Sequence, residues 1–271
     1  MNKEDFKKIA YPETYADEIK LHNIFTYMRK EDPVTWVEPD QFRPFWAITK
    51  HEDIIEIEKQ NDLFINDPRT TLMDIPTEEA IKEFTGGSHL LVRSLVHMDN
   101  PDHQAYRSLT QKWFAPPNLE SLKKDIREIA QEYIQKMMEY GNECDFAKDV
   151  AIFYPLRVIM SILGVPKEDE PKMLRLTQEL FGGRDEDMIR DTDETSPESN
   201  TITDFFEYFT NLTEERRKQP TDDVASVIAN AKIKDEPLGH LEAMSYYVII
   251  ATAGHDTTSS STAGGILALT E

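Results

Sequence analysis

The chain has 271 residues, 51 acidic against 30 basic, and a formal net charge of −21; this balance excludes nucleic acid or an anionic membrane surface as its main partner, since both carry the same sign. Its single cysteine, Cys144, excludes an internal disulfide. The start, MNKEDFKKIAYPETYADEIK, has no apolar run, so no signal peptide or membrane anchor is expected, and the expected compartment is the cytoplasm.

In chain order, Ile19, Leu21, Ile24, Phe25 and Met28 recur at helical spacing and predict a helix over Glu13 to Lys30, ended by Pro33. Val34 to Val37 and Phe45 to Thr49 are short β-branched and aromatic runs around the polar EPDQFRP, which reads as a hairpin and the one sheet of the chain. A short helix over His51 to Gln60 follows, then an irregular region with a helix at Thr77 to Phe84, after which LLVRSLVHM reads as extended. Asn100 and Pro101 start a helix expected to reach Phe114, closed by Pro116 and Pro117. Leu119, Leu122, Ile126, Ile129, Ala130, Tyr133, Ile134, Met137 and Met138 form a long amphipathic stripe ended by Gly141. Helices over Val150 to Leu163 and Pro171 to Phe181 come next, each stopped by glycine. The stretch from Gly182 to Asn200 carries seven acids and reads as a solvated loop. An aromatic-rich helix around Phe205 to Leu212 and another from Thr221 complete the approach to the final stretch.

That stretch, Leu241 to Glu271, is apolar on nearly every face and contains no proline. As one helix of roughly 30 residues it would be a rod of about 45 Å, and its all-round apolar surface predicts burial. A membrane span competes, but His255 and Asp256 fall near its middle and the run Ala243 to Gly254 is too short. The whole pattern is mainly α with a small β-sheet and lacks the strand–helix alternation of a parallel α/β fold.

Two constellations could carry chemistry. Within the rod, Asp256 and Thr257 sit among Ile249, Ile250, Ala251, Ala253 and Gly254. A buried carboxylate there needs a partner, a water-filled cavity or a raised pKa, and the run of hydroxyls from Thr257 can bond back to helix carbonyls and bend the rod. Small residues, a carboxylate and a hydroxyl in one turn make a pocket with a proton path; equally, the same residues can mark two helices meeting at Gly254, with Asp256 or Thr257 as a cap. The second constellation is His103 and Arg107, at i and i+4 on one helix face, two donors suited to a carboxylate or phosphate or else a solvated surface pair. The remaining histidines are too scattered to propose a metal site, and there is no glycine-rich phosphate loop, no nucleophile elbow and no Cys-x-x-Cys.

With both motifs in view, the chain resembles the N-terminal two-thirds of a soluble bacterial cytochrome P450, a heme-thiolate monooxygenase. AGHDTT, residues 253 to 258, is similar to the family's central-helix motif, and NPDHQAYR, residues 100 to 107, to its His-x-x-x-Arg helix. Within the family, GNECDFAKDVAIFYPLRVIMSILGVPKEDEPKMLRLTQELFGG, DDVASVIANAK and YYVIIATAGHDTTSSS resemble the terpineol-hydroxylating type. The resemblance implies a single P450-like domain over residues 1–271, incomplete at its C-terminal side, with heme b as cofactor. It further implies that Thr257 holds dioxygen or its water, that Asp256 relays protons, and that Ala253 with Gly254 forms the oxygen groove. His103 and Arg107 would anchor the heme propionates. Gly86 to Ser94, the 171–209 region and Ile249 with Ile250 would border the substrate pocket. The family's Glu-x-x-Arg helix and thiolate loop come after the central helix and so beyond Glu271; Cys144 lies before it, and Glu214 with Arg217 matches Glu-x-x-Arg in spacing only. The expectation is therefore a fragment, inactive alone, of an enzyme that hydroxylates a small hydrophobic substrate such as a monoterpenoid, using O2 and electrons delivered by a ferredoxin from an NAD(P)H reductase. The alternative is a non-enzymatic helical protein that binds a hydrophobic ligand.

Overall fold

The computed structural model describes residues 3–181 and 201–270. The acidic stretch 182–200, expected to be a loop, lies outside the described residues. The described chain is mainly helical, with two short antiparallel sheets, and divides into two compact units, 1–102 and 103–271.

In the first unit the expected opening helix is split. The Asp17 carboxylate accepts the Lys20 N–H at 3.0 Å and so caps a fresh helix, α1 (Glu18–Glu31), leaving Pro12–Tyr15 as a separate turn. Ile24 and Met28, one turn apart on α1, pack with Phe6, Ile9, Val37 and Ala47 into a small core; each fully buried side chain of this size contributes about 1.5–3 kcal/mol. The hairpin is as expected: β1 (Val34–Val37) pairs with β2 (Phe45–Ile48) antiparallel, with Trp36 opposite Trp46. Alternation turns Thr35 and Val37 inward and leaves the two indoles on the outer face, 5.2 Å between ring centroids.

After α2 (His51–Glu58), α3 (Ile75–Thr85) starts where Asp74 caps the Thr77 N–H at 2.9 Å and ends at Gly86, whose φ of +71° only glycine adopts freely. On α3 sits Glu78, a buried carboxylate with four cationic or ring-nitrogen neighbours. Its oxygens accept from Arg43 Nε at 2.6 Å, Arg69 Nη2 at 2.6 Å and Arg69 Nε at 2.9 Å, and lie 2.8 Å from His89 Nδ1; Lys82 stands 3.8 Å away. Burial by itself would raise this carboxyl, but the hydrogen bonds from Arg69, Arg43 and His89 outweigh it and hold the pKa at about 2. The LLVRSLVHM stretch is not extended. Its end is a 3₁₀ turn at Leu95–His97, because the Ser94 N–H finds the His97 ring nitrogen at 3.2 Å and competes with any ladder.

In the second unit, α4 (Asp102–Gln111) stops short of Phe114. Pro116 and Pro117 then open the next helix, α5 (Pro116–Glu139), rather than close the previous one, since the first turn needs no N–H donors. Only the centre of the expected α5 stripe is fully covered: Ile129 and Tyr133 are buried against Val150, while Ile134 and Met138 on its flank are exposed. A π-helical turn, Ala147–Ala151, leads into α6 (Phe153–Leu163), which is followed by α7 (Glu170–Phe181), α8 (Thr201–Lys218) and α9 (Val224–Ala229). At the end of α6, Gly164 has φ +69°, and a Cβ there would lie 2.0 Å from Asp223 Oδ2. This close approach lets buried Arg216 bridge three groups, donating to Asp223 at 2.7 Å, to Glu215 at 2.7 Å and to the Gly164 carbonyl at 2.8 Å.

A second sheet was not expected. β3 (Lys232–Ile233) pairs with β4 (Glu236–Pro237) through Lys234 and Asp235, both with positive φ. A two-residue turn of this hand favours Asn-Gly, and Lys-Asp hides it.

The final stretch is two helices, α10 (His240–Ala253) and α11 (Asp256–Thr270), not one rod. Burial holds for α10, where Ala243, Met244, Ser245, Tyr246, Tyr247, Ala251 and Thr252 are buried against α8, α9 and α6. It fails for α11, whose Ile266, Leu267 and Leu269 are exposed and whose one buried residue is Ser259. Among the described residues no helix is long and apolar enough to cross a membrane.

Candidate functional site

The junction of α10 and α11 is built by two residues that face inward. Gly254 lies so close to α6 that a Cβ would come within 2.2 Å of Ile159 Cδ1 and 2.7 Å of Ile159 Cγ1. His255 is 3% exposed and donates from Nε2 to the Ile152 carbonyl at 2.9 Å, where the π-turn passes into α6. Burial lowers its pKa and favours the neutral imidazole, opposed by that hydrogen bond and by Asp256. The new helix is tied to the break by the Ser259 N–H, which donates to the His255 carbonyl at 2.9 Å.

Anchoring the junction through Gly254 and His255 turns the remaining motif residues outward. Ala253, Asp256 and Thr257 are exposed, and Ile249 and Ile250, a turn earlier, are half-buried. The Thr257 hydroxyl donates back to the Ala253 carbonyl at 2.9 Å, as Thr252 does to Val248 at 2.6 Å. Of the two arrangements open from spacing, two helices meeting at Gly254 is the observed one. Asp256 is the first residue of α11, and Thr257 bonds backward instead of capping. The burial and its cost, expected at Asp256, fall on His255 instead.

His103 and Arg107 lie on α4, partly buried and exposed respectively. Neither side chain forms a hydrogen bond or ion pair with another described residue. Two unengaged donors on one helix face fit the carboxylates of an acidic cofactor, and this donor chemistry is what a pair of heme propionates requires. Cys144 is exposed.

The structure joins the two constellations through a residue that spacing alone did not single out. Tyr246, 3% exposed on α10, donates its hydroxyl hydrogen to the carbonyl of Tyr106 on α4. Thr110, also buried, lies beside the same hydroxyl from one turn along α4. Burial pushes the Tyr246 phenol up to about 12. Its neighbour Tyr247 points elsewhere, stacking on Phe209 with centroids 4.6 Å apart, hydrogen-bonded to Thr213 at 3.0 Å and donating to the Ala225 carbonyl at 3.2 Å. The signal was available in principle: two tyrosines inside an apolar helix each need a partner for a buried hydroxyl.

No protein-family model matches the sequence. Cytochrome P450-terp of a Pseudomonas species is 40% identical over 97% of this chain and 63% of its own length. A steroid C26-monooxygenase of Rhodococcus jostii is 28% identical over 95% of this chain and 53% of its own length. Among solved structures, CYP108D1 of Novosphingobium aromaticivorans superposes with a TM-score of 0.83 at 45% identity, covering 95% of this chain and 61% of that one. The chain thus spans somewhat under two thirds of the length of the relatives it matches. These likenesses do not favour a non-enzymatic binding protein.

Proposed function

This chain belongs to the cytochrome P450 family, and we propose that the intact protein is a heme-dependent monooxygenase that hydroxylates a small hydrophobic substrate, a monoterpenoid in particular. The observation that carries the reading is the α10–α11 junction: it buries His255 and leaves Ala253, Asp256 and Thr257 together on an open face. Heme b, when bound, supplies the iron at which O2, two electrons and two protons yield one inserted oxygen atom and one water. The chain's own residues bind it, orient the reactants and move the protons.

His103 and Arg107 hold the propionates by charge-assisted hydrogen bonds. Ala253 and Gly254 present little side chain, so a small molecule can approach the backbone there. Thr257 spends its hydroxyl hydrogen on the Ala253 carbonyl and so offers lone pairs outward, which lets it accept a hydrogen from a water and fix that water at the break. Asp256, exposed one residue earlier, exchanges protons with solvent and feeds that water. Ile249 and Ile250 add apolar surface for a hydrocarbon substrate. A thiolate ligand to the iron would come from the part of the relatives' length that this chain does not span, since Cys144 is exposed and lies outside the junction. The terpene substrate class rests on the name of the Pseudomonas relative; the ferredoxin donor with its NAD(P)H reductase and the cytoplasmic location rest on the family resemblance.

The test is coupling. In the intact protein with its reductase system, Thr257→Ala should raise peroxide released per NADH consumed several-fold, because the water that delivers protons loses its holder. Unchanged coupling removes Thr257 from the mechanism.

A further inference from the structure

α4 carries the proposed propionate anchors yet has little apolar surface to hold it: of residues 103 to 111, Thr110 alone is buried. A helix with so small a buried face is free to slide or roll unless a directional contact fixes it, because hydrophobic contact is non-directional. The bond from the Tyr246 hydroxyl to the Tyr106 carbonyl is such a contact. Tyr106 lies between His103 and Arg107 in sequence, in the same turn of α4, and Thr110 is one turn further on the same edge. On the other side, Tyr246 is seven residues before Ala253 on α10, about 10 Å along the helix axis. One phenol therefore connects the helix of the anchor pair with the helix that ends at the Gly254–His255 junction.

We infer that Tyr246 is a positioning residue for the cofactor: its hydroxyl pins α4 to α10 and sets the His103–Arg107 pair at a fixed place relative to the junction. This rests on the reading of His103 and Arg107 as propionate anchors. Tyr246 does not touch the cofactor in this account; it acts through α4. The pin differs from ordinary core packing, and Tyr247 provides the comparison. That residue is adjacent, equally buried and equally hydrogen-bonded, but its hydroxyl faces Thr213 and Ala225 and makes no contact with α4.

The experiment measures heme transfer from the intact, heme-loaded protein to excess apomyoglobin. Losing a buried hydrogen bond that holds α4 should speed heme loss by about tenfold in Tyr246→Phe, and Thr110→Val, which puts a methyl group beside that hydroxyl, should act in the same direction. Tyr247→Phe should leave the rate within about twofold of the parent. Arg107→Ala should itself accelerate loss, and adding Tyr246→Phe to a His103→Gln/Arg107→Ala double variant should change the rate by less than about twofold, since the pin then has no anchor left to position. Thr110→Val keeps the proposal testable if Tyr246→Phe does not fold. Acceleration by Arg107→Ala with no effect of Tyr246→Phe and Thr110→Val, or full additivity of Tyr246→Phe with the His103→Gln/Arg107→Ala double variant, overturns the pin and leaves the anchors standing. Arg107→Ala and His103→Gln that both leave heme loss unchanged overturn the anchor reading and the pin with it.

Discussion

Replacing Glu78 by glutamine keeps the shape of the side chain and removes the charge that Arg43, Arg69 and His89 surround. The carboxyl is held at about 2 against an ordinary value of 4.5, a difference worth about 3 kcal/mol of folding free energy at neutral pH. The arginines that hold it are 42% exposed, so solvent screening brings the figure to about 2 kcal/mol. The sign is that of a depressed acid: the stabilisation is complete above the unfolded value near 4.5 and disappears as pH falls toward 2. The natural assay is amide hydrogen exchange of residues 75–85 in the intact protein, parent against Glu78→Gln. At pH 7 the variant should exchange about 30-fold faster through α3, and after correction for intrinsic rates the gap should close as pH is lowered from 4.5 to 2. Equal protection at pH 7, or a gap that persists at pH 2, would refute the electrostatic account and leave α3 held by packing alone.

Gly254→Ala should cost about 1–3 kcal/mol by forcing Ile159 aside, and Ile159→Val, which deletes the nearer of the two atoms in conflict, should recover part of it in denaturant unfolding; strict additivity contradicts the close approach. Because burial holds His255 low, the unfolded chain takes up its proton first as pH falls below about 6.5, and stability should decline with a slope of up to about 1.4 kcal/mol per pH unit from this residue. His255→Gln, which retains a donor for Ile152, should flatten that slope between pH 5 and 7, with His97, also lowered by burial, keeping its own share; an unchanged slope would show that His255 is not the titrating group. Gly164→Ala combines a left-handed backbone with a Cβ at 2.0 Å from Asp223 and should lose at least about 2 kcal/mol on thermal unfolding, whereas a neutral substitution would mean the Arg216–Asp223 bridge can shift without cost.

Element types were legible wherever one periodicity dominated, as in α5 and the β1–β2 hairpin, because a stripe or an alternation is a property of the local chain. What a stripe faces is not local: Ile134 and Met138 belong to the α5 pattern and are exposed. The rod was misread in the same way. Its composition is apolar to the end, but its division into α10 and α11 is set by Ile159 and the Ile152 carbonyl, groups about a hundred residues away that claim Gly254 and His255. Composition likewise pointed to Asp256 as the costly buried charge, and only the inward turn of His255 shows which of the two neighbours is buried. The partners of Glu78 and Tyr246 were not legible for a related reason, since they come from separate loops and helices. The two motif segments could be recognised because each is short and contiguous; the hydroxyl that joins them is neither.

The proposed function requires heme with thiolate ligation in the intact protein, and a reduced, carbon-monoxide-treated sample reads it directly. The expected result is the long-wavelength Soret shift that thiolate ligation gives, in a protein that retains stoichiometric heme. A protein that binds no heme, or whose carbon-monoxide complex lacks that shift, would contradict it.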